Sequence, residues 1–161
     1  MIIALGILFL LGGLLLQGSV LSHLPVLGVR VDLVLLIVLA WSVLRGFPSA
    51  IAMAWGGGVL LDLVSGAPFG AHTFTLGLLA PATVLATRHL LTDSLLPALG
   101  IALAGTLCYD LVLLLALQAS HVPVAWAAAF WSLVVPSAIV NTLAMPLVFV
   151  PLLRAAGRAA A

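Results

Sequence analysis

The sequence predicts an all-α integral membrane protein, a six-transmembrane-helix bundle with both termini cytoplasmic. Three observations predict it. First, the 161 residues are 65% hydrophobic and 6% charged, with mean hydropathy +1.43, whereas a soluble domain carries roughly 25% charged residues. Charges so sparse cannot cover a water-facing surface. Second, six apolar stretches approach the roughly 20 residues that span a bilayer, and short turn-like breaks separate them. Third, the arginines divide unequally between the two sides that six spans would create. No hydrophilic stretch is long enough for a soluble domain, so residues 1–161 read as a single transmembrane domain.

The first stretch runs about Ile2–Leu21. It lacks a basic n-region and an A-x-A site, so it is expected to be a retained helix and not a removed signal peptide. After Ser22-His23-Leu24-Pro25 comes a short second helix, about Val31–Leu44, which Asp32 opens. Arg45-Gly46-Phe47-Pro48 breaks the chain before a third helix, about Ser49–Ser65. Gly66-Ala67-Pro68 separates it from the fourth, about Ala71–Leu90, and Thr92-Asp93-Ser94 precedes the fifth, about Leu95–Gln118. Beyond Ser120-His121-Val122-Pro123 lies the sixth, about Val124–Leu153, long enough that Pro136 and Pro146 are expected to kink it. Trp126 suits an outer-interface anchor and Trp41 an inner one.

With the N-terminus inside, Arg45, Arg88, Arg154 and Arg158 all fall on the cytoplasmic side and only Arg30 falls outside, two residues from Asp32. That split favours six spans, because five would put the C-terminal arginines on the wrong side. The same topology gathers the acids. Asp-Leu-Val occurs three times, at Asp32, Asp62 and Asp110, and all three aspartates fall in the outer half. Asp62 lies ~20 Å along the third helix and Asp110 ~22 Å along the fifth, at 1.5 Å per residue.

Each of these two aspartates ends a row of small residues spaced four apart: Ala50, Ala54, Gly58, Asp62 and Ala98, Ala102, Thr106, Asp110. On a helix such a row is one stripe, and small residues let a second helix come close. Gly56-Gly57-Gly58 fits close packing better than a hinge or an unwound ligand site, because its four-spaced neighbours are also small. Asn141, after the Pro136 kink, must bond a freed carbonyl or another helix. For the intramembrane carboxylates two readings stand. They bond structurally to serine, Tyr109 or loop backbone, or they relay ions or protons. No membrane-embedded basic residue complements them, which favours the structural reading.

Several chemistries are disfavoured. The single Cys108 excludes an intramolecular disulfide and a cysteine metal cluster. A net charge of +1 offers no basic face for nucleic acid. Asp62, Ser65 and His72 are the residue types of a hydrolase triad, but Ser65 sits at a helix end, where a C-terminal turn with Gly66 at C′ is the plainer reading. His23, His72, His89 and His121 fall in separate loops or helix ends without an H-x-x-x-H pair, so interfacial roles are expected and no metal or other cofactor.

The string Gly58-Val59-Leu60-Leu61-Asp62-Leu63-Val64-Ser65-Gly66-Ala67-Pro68-Phe69-Gly70 follows a short helix that begins Asp32-Leu33-Val34-Leu35-Leu36 and ends Leu44-Arg45-Gly46. It resembles the rod shape-determining protein MreD family. The tail Pro136-Ser137-Ala138-Ile139-Val140-Asn141-Thr142-Leu143-Ala144-Met145-Pro146 is similar to that family's last helix. The resemblance implies a non-enzymatic inner-membrane scaffold subunit of the bacterial cell-elongation complex. It would bind the bitopic MreC and, through it, serve MreB, a SEDS-type glycosyltransferase and a class B penicillin-binding protein. The family also resembles the substrate-binding S-components of energy-coupling-factor transporters. The expected packing or partner-binding residues are Ala54, Gly58, Asp62, Gly66, Pro68, Gly70, Ala102, Thr106 and Asp110, with Asp32 and Asn141 as structural polar residues. The competing reading is a small-molecule-binding transport component that holds its ligand near the outer face through Asp62, Asp110, Tyr109 and Asn141.

Overall fold

The second helix organises the bundle. In the structure, a computed structural model that describes residues 2–19, 28–29, 31–88 and 94–158, six helices pack together among the described residues: α1 (Ile2–Ser19), α2 (Leu33–Leu44), α3 (Phe47–Val64), α4 (Ala71–Thr87), α5 (Leu95–Ala119) and α6. The last runs as Trp126–Ala129, a π-helical turn Phe130–Val134, and Val135–Arg158. A helix that is apolar on every side has no face to give to water and is buried whole. The sequence of α2 is of that kind, and Val34 through Val43 are all buried. It packs against each of the other five helices. Its 12 residues reach only about 18 Å at 1.5 Å per residue, well short of a hydrocarbon core of roughly 30 Å.

Around α2 the close approaches fall where glycine removes a side chain. A Cβ at Gly57 would sit 3.1 Å from Val34 Cγ1 and 3.2 Å from Val38 Cγ2. One at Gly58, on a different face of α3, would lie 2.4 Å from the Thr73 Cα of α4. The helix continues unbroken through all three glycines, so they pack helices together and do not unwind. Outward, the large side chains remain apolar: Leu8 and Leu15 on α1, Trp55 and Leu63 on α3, Phe74 on α4, Leu96 on α5, Trp131, Leu143 and Leu147 on α6 are exposed. Such a surface suits lipid and not water. Three helices, Phe47–Val64, Leu95–Ala119 and Trp126–Ala155, are long and apolar enough to cross a membrane; α1, α2 and α4 are apolar but shorter.

Several boundaries move from those expected. Helix α3 starts two residues early, at Phe47, because Pro48 occupies the first turn, where its missing N–H costs nothing. Helix α2 begins at Leu33, with Asp32 as its cap. In α6 the distortion precedes Pro136. The Val135 N–H reaches back five residues to the Phe130 carbonyl, and this wider turn makes room for a proline ring that would clash with an α-helical turn. Helical structure then runs through Pro146 and Pro151. Trp41 is not an interfacial anchor. It is buried, and its indole N–H donates to Ser49 Oγ at 3.0 Å. Trp126 lies partly exposed at the start of α6 and donates to Gln118 Oε1 at 2.8 Å. His23, Arg30, His89 and Asp93 lie outside the described residues.

Candidate functional site, a polar cluster at one end of the bundle

A half-length helix inside an apolar bundle creates a chemical problem at its N-terminus. The first backbone N–H groups have no intrahelical acceptors, and hydrocarbon offers none. Three side chains solve it, the cap itself and one from each of two other helices. Asp32 Oδ1 accepts from Leu35 N–H at 3.0 Å, a side-chain cap. Gln17 Oε1 of α1 accepts from Val34 N–H at 3.2 Å. Asn141 Oδ1 of α6 accepts from Asp32 N–H at 2.9 Å. The Leu36 N–H then makes the first intrahelical bond, to the Asp32 carbonyl, at 3.1 Å.

Asp62 does the same for α4. Its Oδ1 accepts from His72 N–H at 2.9 Å, and its Oδ2 accepts from Thr73 N–H at 3.1 Å and from the Thr73 hydroxyl at 2.5 Å. The carboxylate is thus an N-terminal cap supplied by a different helix, and its charge opposes the positive end of the α4 dipole. Two glycines permit it. Gly58, one turn before Asp62, lets Thr73 approach. Gly70, the N-cap of α4, has φ 97°, a left-handed conformation that L side chains rarely adopt, and it turns the chain so that these N–H groups face α3. Gly66 and Pro68 lie in the connecting turn, where the Pro68 carbonyl accepts from Ala71 N–H at 3.1 Å. Gly66 is not a left-handed C′ residue, contrary to expectation. Among the described glycines only Gly28 and Gly70 have positive φ, and α3 ends with Ser65 in extended conformation.

The stripe on α5 faces α6. Ala98, Ala102, Thr106 and Asp110 are all buried. The Ser137 hydroxyl bonds to Asp110 Oδ2, and Asn141 Nδ2 reaches Thr106 Oγ1 at a long 3.4 Å. Thr106 and Asp110 are one turn apart on α5, and Ser137 and Asn141 are one turn apart on α6. The two stripes therefore meet helices of the same chain, Gly58 and Asp62 against α4 and Thr106 and Asp110 against α6, with their alanines buried. Between them stands His72, whose Nδ1 lies 2.5 Å from the Tyr109 hydroxyl. His72 is buried and is not the interfacial histidine that its position near a helix start suggested.

Two cavities open beside this network and share Asp32 and His72 as walls. One, of about 620 Å³, is also lined by Gln17, Leu61 and Ser65. The other, of about 350 Å³, is lined by Tyr109, Asp110, Ser137 and Asn141. No hydrolase relay forms here. Asp62 is spent on α4, His72 Nδ1 on Tyr109, and Ser65 Oγ is buried and has no hydrogen-bond partner among the described residues. Nor does any group of three or more His, Cys, Asp or Glu among the described residues suit a metal ion. Arg45, Arg88 and Arg154 lie at or near the C-terminal ends of α2, α4 and α6. The cluster gathers at the N-terminal ends of α2 and α4 and the first half of α6, so the described arginines and the acids occupy opposite ends of the bundle.

The sequence pointed to Asp32, Asp62, Asp110 and Asn141 but not to Gln17, His72, Thr73 or Ser137. Two signals were available. Gln17 is a lone amide in an apolar helix, and Ser137 stands one turn before Asn141 on the same face.

An all-helical bundle with an apolar exterior, three helices long enough to cross a membrane, and polar groups turned inward defines a membrane protein whose polar residues hold helices together. A sequence profile described as rod shape-determining protein MreD matches residues 1–155. The chain belongs to the MreD family, membrane proteins of a cell-shape system that are shape-determining structural proteins and are not known as enzymes. Neither a curated protein nor a solved structure shows significant similarity to it.

Proposed function

We propose that this protein is a non-enzymatic, multi-pass inner-membrane scaffold of the cell-elongation complex, with six spans and both termini cytoplasmic, and that it acts by binding MreC. Through MreC it would serve MreB, the SEDS-type glycosyltransferase and the class B penicillin-binding protein. Family membership supports the role. The observation that carries the scaffold mechanism is the use of the polar side chains: Gln17, Asn141, Asp62 and Thr73 each fix one helix against another, and Asp32 caps its own helix. The segregation of arginines from acids supports the orientation, with the acidic cluster outside. Because α4 and α6 already cover the small-residue stripes, the MreC helix would lie on the lipid-facing surface, held in shape from within by those stripes.

The competing transport reading draws support from one feature, the cavities at Asp32 and His72. Rod shape discriminates the two. In a rod-shaped bacterium that lacks its own family member, the wild-type chain should restore rods. Gly58→Leu should insert in the membrane yet leave cells rounded or widened, because a Cβ at that position would already meet Thr73 Cα at 2.4 Å. Normal rods at normal levels of the Gly58→Leu protein would count against a packing role there.

A further inference from the structure

Helices α3, α4 and α5 are level at one end of the bundle and uneven at the other. Asp62, His72 and Asp110 mark a common height. Asp62 accepts from His72 N–H, His72 Nδ1 meets the Tyr109 hydroxyl, and Asp110 follows Tyr109. Towards the arginine-bearing end the three helices match. Asp62 back to Phe47, His72 on to Thr87, and Asp110 back to Leu95 each cover about 22 Å at 1.5 Å per residue. Beyond the cluster they part. Helix α3 ends at Val64, about 3 Å past Asp62, and α4 starts at Ala71, one residue before His72. Helix α5 continues for about 14 Å to Ala119, and α6 starts at Trp126, about 16 Å before the Ser137 that bonds Asp110. The α5–α6 hairpin therefore stands roughly 10 Å above the α3–α4 turn.

The two heights call for different surroundings. The hairpin is apolar on both strands. Residues 111–117 of α5 are leucine, valine and alanine throughout. On α6, Trp131 is 72% exposed, Leu133 is exposed, and Ser132 satisfies its hydroxyl on the Ala128 carbonyl of its own helix. Leu115 of α5 is 56% exposed. This surface continues the exposed Leu96 and Leu103 of α5 and Leu143 and Leu147 of α6, so one lipid-facing surface runs to the hairpin tip. There Trp126 bonds Gln118, a tryptophan and an amide placed as at a membrane interface. The α3–α4 turn, residues 65–70, is irregular backbone, and Gly66 and Phe69 in it are exposed. The last carbonyls of α3 have no acceptor role inside their own helix, and irregular backbone does not lie against lipid hydrocarbon. The turn needs water at a height where the hairpin needs lipid.

We propose that the water–lipid boundary is stepped around this protein. The α5–α6 hairpin crosses the full hydrocarbon layer, and beside α3 and α4 the same leaflet thins until water reaches the turn. The partner of this surface is the bilayer itself, since lipid adapts to a short helix pair by local thinning at modest cost. In the proposed orientation the thinned leaflet is the outer one. The step goes beyond the scaffold reading and rests on neither that orientation nor MreC.

The test uses the full-length protein alone in phosphatidylcholine nanodiscs, with the exposed Cys108 replaced by alanine. A nitroxide is attached singly at Gly66→Cys, Leu115→Cys or Trp131→Cys. All three sites are exposed, and a Cβ at Gly66 meets nothing within 4 Å, so the labels leave the packing intact. Collisions of each label with oxygen, which concentrates in hydrocarbon, are compared with collisions with a water-soluble nickel chelate. The label at 66 should meet the chelate several-fold more often than the labels at 115 and 131, and those two should favour oxygen. An oxygen-favouring label at 66 would place the turn in hydrocarbon and overturn the step. Labels at 115 and 131 as open to the chelate as that at 66 would also overturn it, and would make the hairpin a water-exposed surface left for a protein partner.

Discussion

Asp62 was legible in the sequence as the end of a small-residue stripe, with backbone among its expected partners, but which groups it bonds was not. Its partners are the backbone N–H groups of His72 and Thr73, and a backbone group leaves no mark in residue identity. Trp41 illustrates the converse. A tryptophan near a helix end reads as an interfacial anchor, yet α2 is so central that its last turn is buried too, and Ser49 satisfies the indole. Gly70 gives a prediction at this scale. With φ 97°, Gly70→Ala should lower stability by roughly 1–2 kcal/mol, read as a reduced thermal midpoint in detergent. The same change at Gly46, which has φ −73° and open space for a Cβ, should have little effect.

At the scale of the element, apolar runs and breaks located the helices because hydropathy is a property of each segment alone. The ends were less legible because caps and prolines act through bonds to other segments. The shortness of α2 was visible, but its consequence, that the N-terminus stops inside the apolar bundle and must borrow acceptors from α1 and α6, required the fold. The π-helical turn before Pro136 was likewise unreadable, since the proline announces a distortion without saying which turn absorbs it. Asn141→Leu should strip the acceptor from Asp32 N–H and cost roughly 1–3 kcal/mol, the penalty of a buried unsatisfied donor. Asn141→Asp retains an oxygen at that place and should retain more of the thermal midpoint. Equal losses would mean that Asn141 acts mainly through its volume.

For the whole molecule, the described arginines Arg45, Arg88 and Arg154 lie at one end of the bundle and the aspartate cluster at the other, and the proposed orientation follows from that separation. Both termini should therefore be cytoplasmic. A topology reporter fused after Ala161 should be active only in the cytoplasmic state, and activity restricted to the outside would defeat the six-span arrangement. The stripes, expected to pack helices or to bind a partner, end against this chain's own helices at Gly58 and Asp62 and at Thr106 and Asp110; small residues announce close packing but not whose helix arrives. The central claim is that the buried carboxylates act as hydrogen-bonding ties within a scaffold that MreC recognises. Recovery of MreC with the solubilised wild type, Asp62→Asn and Asp62→Leu proteins tests it most directly. Asn preserves an acceptor for the N–H groups of α4, whereas Leu strands them. The account predicts that MreC is retained by the wild type and largely by Asp62→Asn, and is lost from Asp62→Leu. Equal loss of MreC from both variants, with both proteins still inserted, would show that the ionisable group itself is required and would contradict the account.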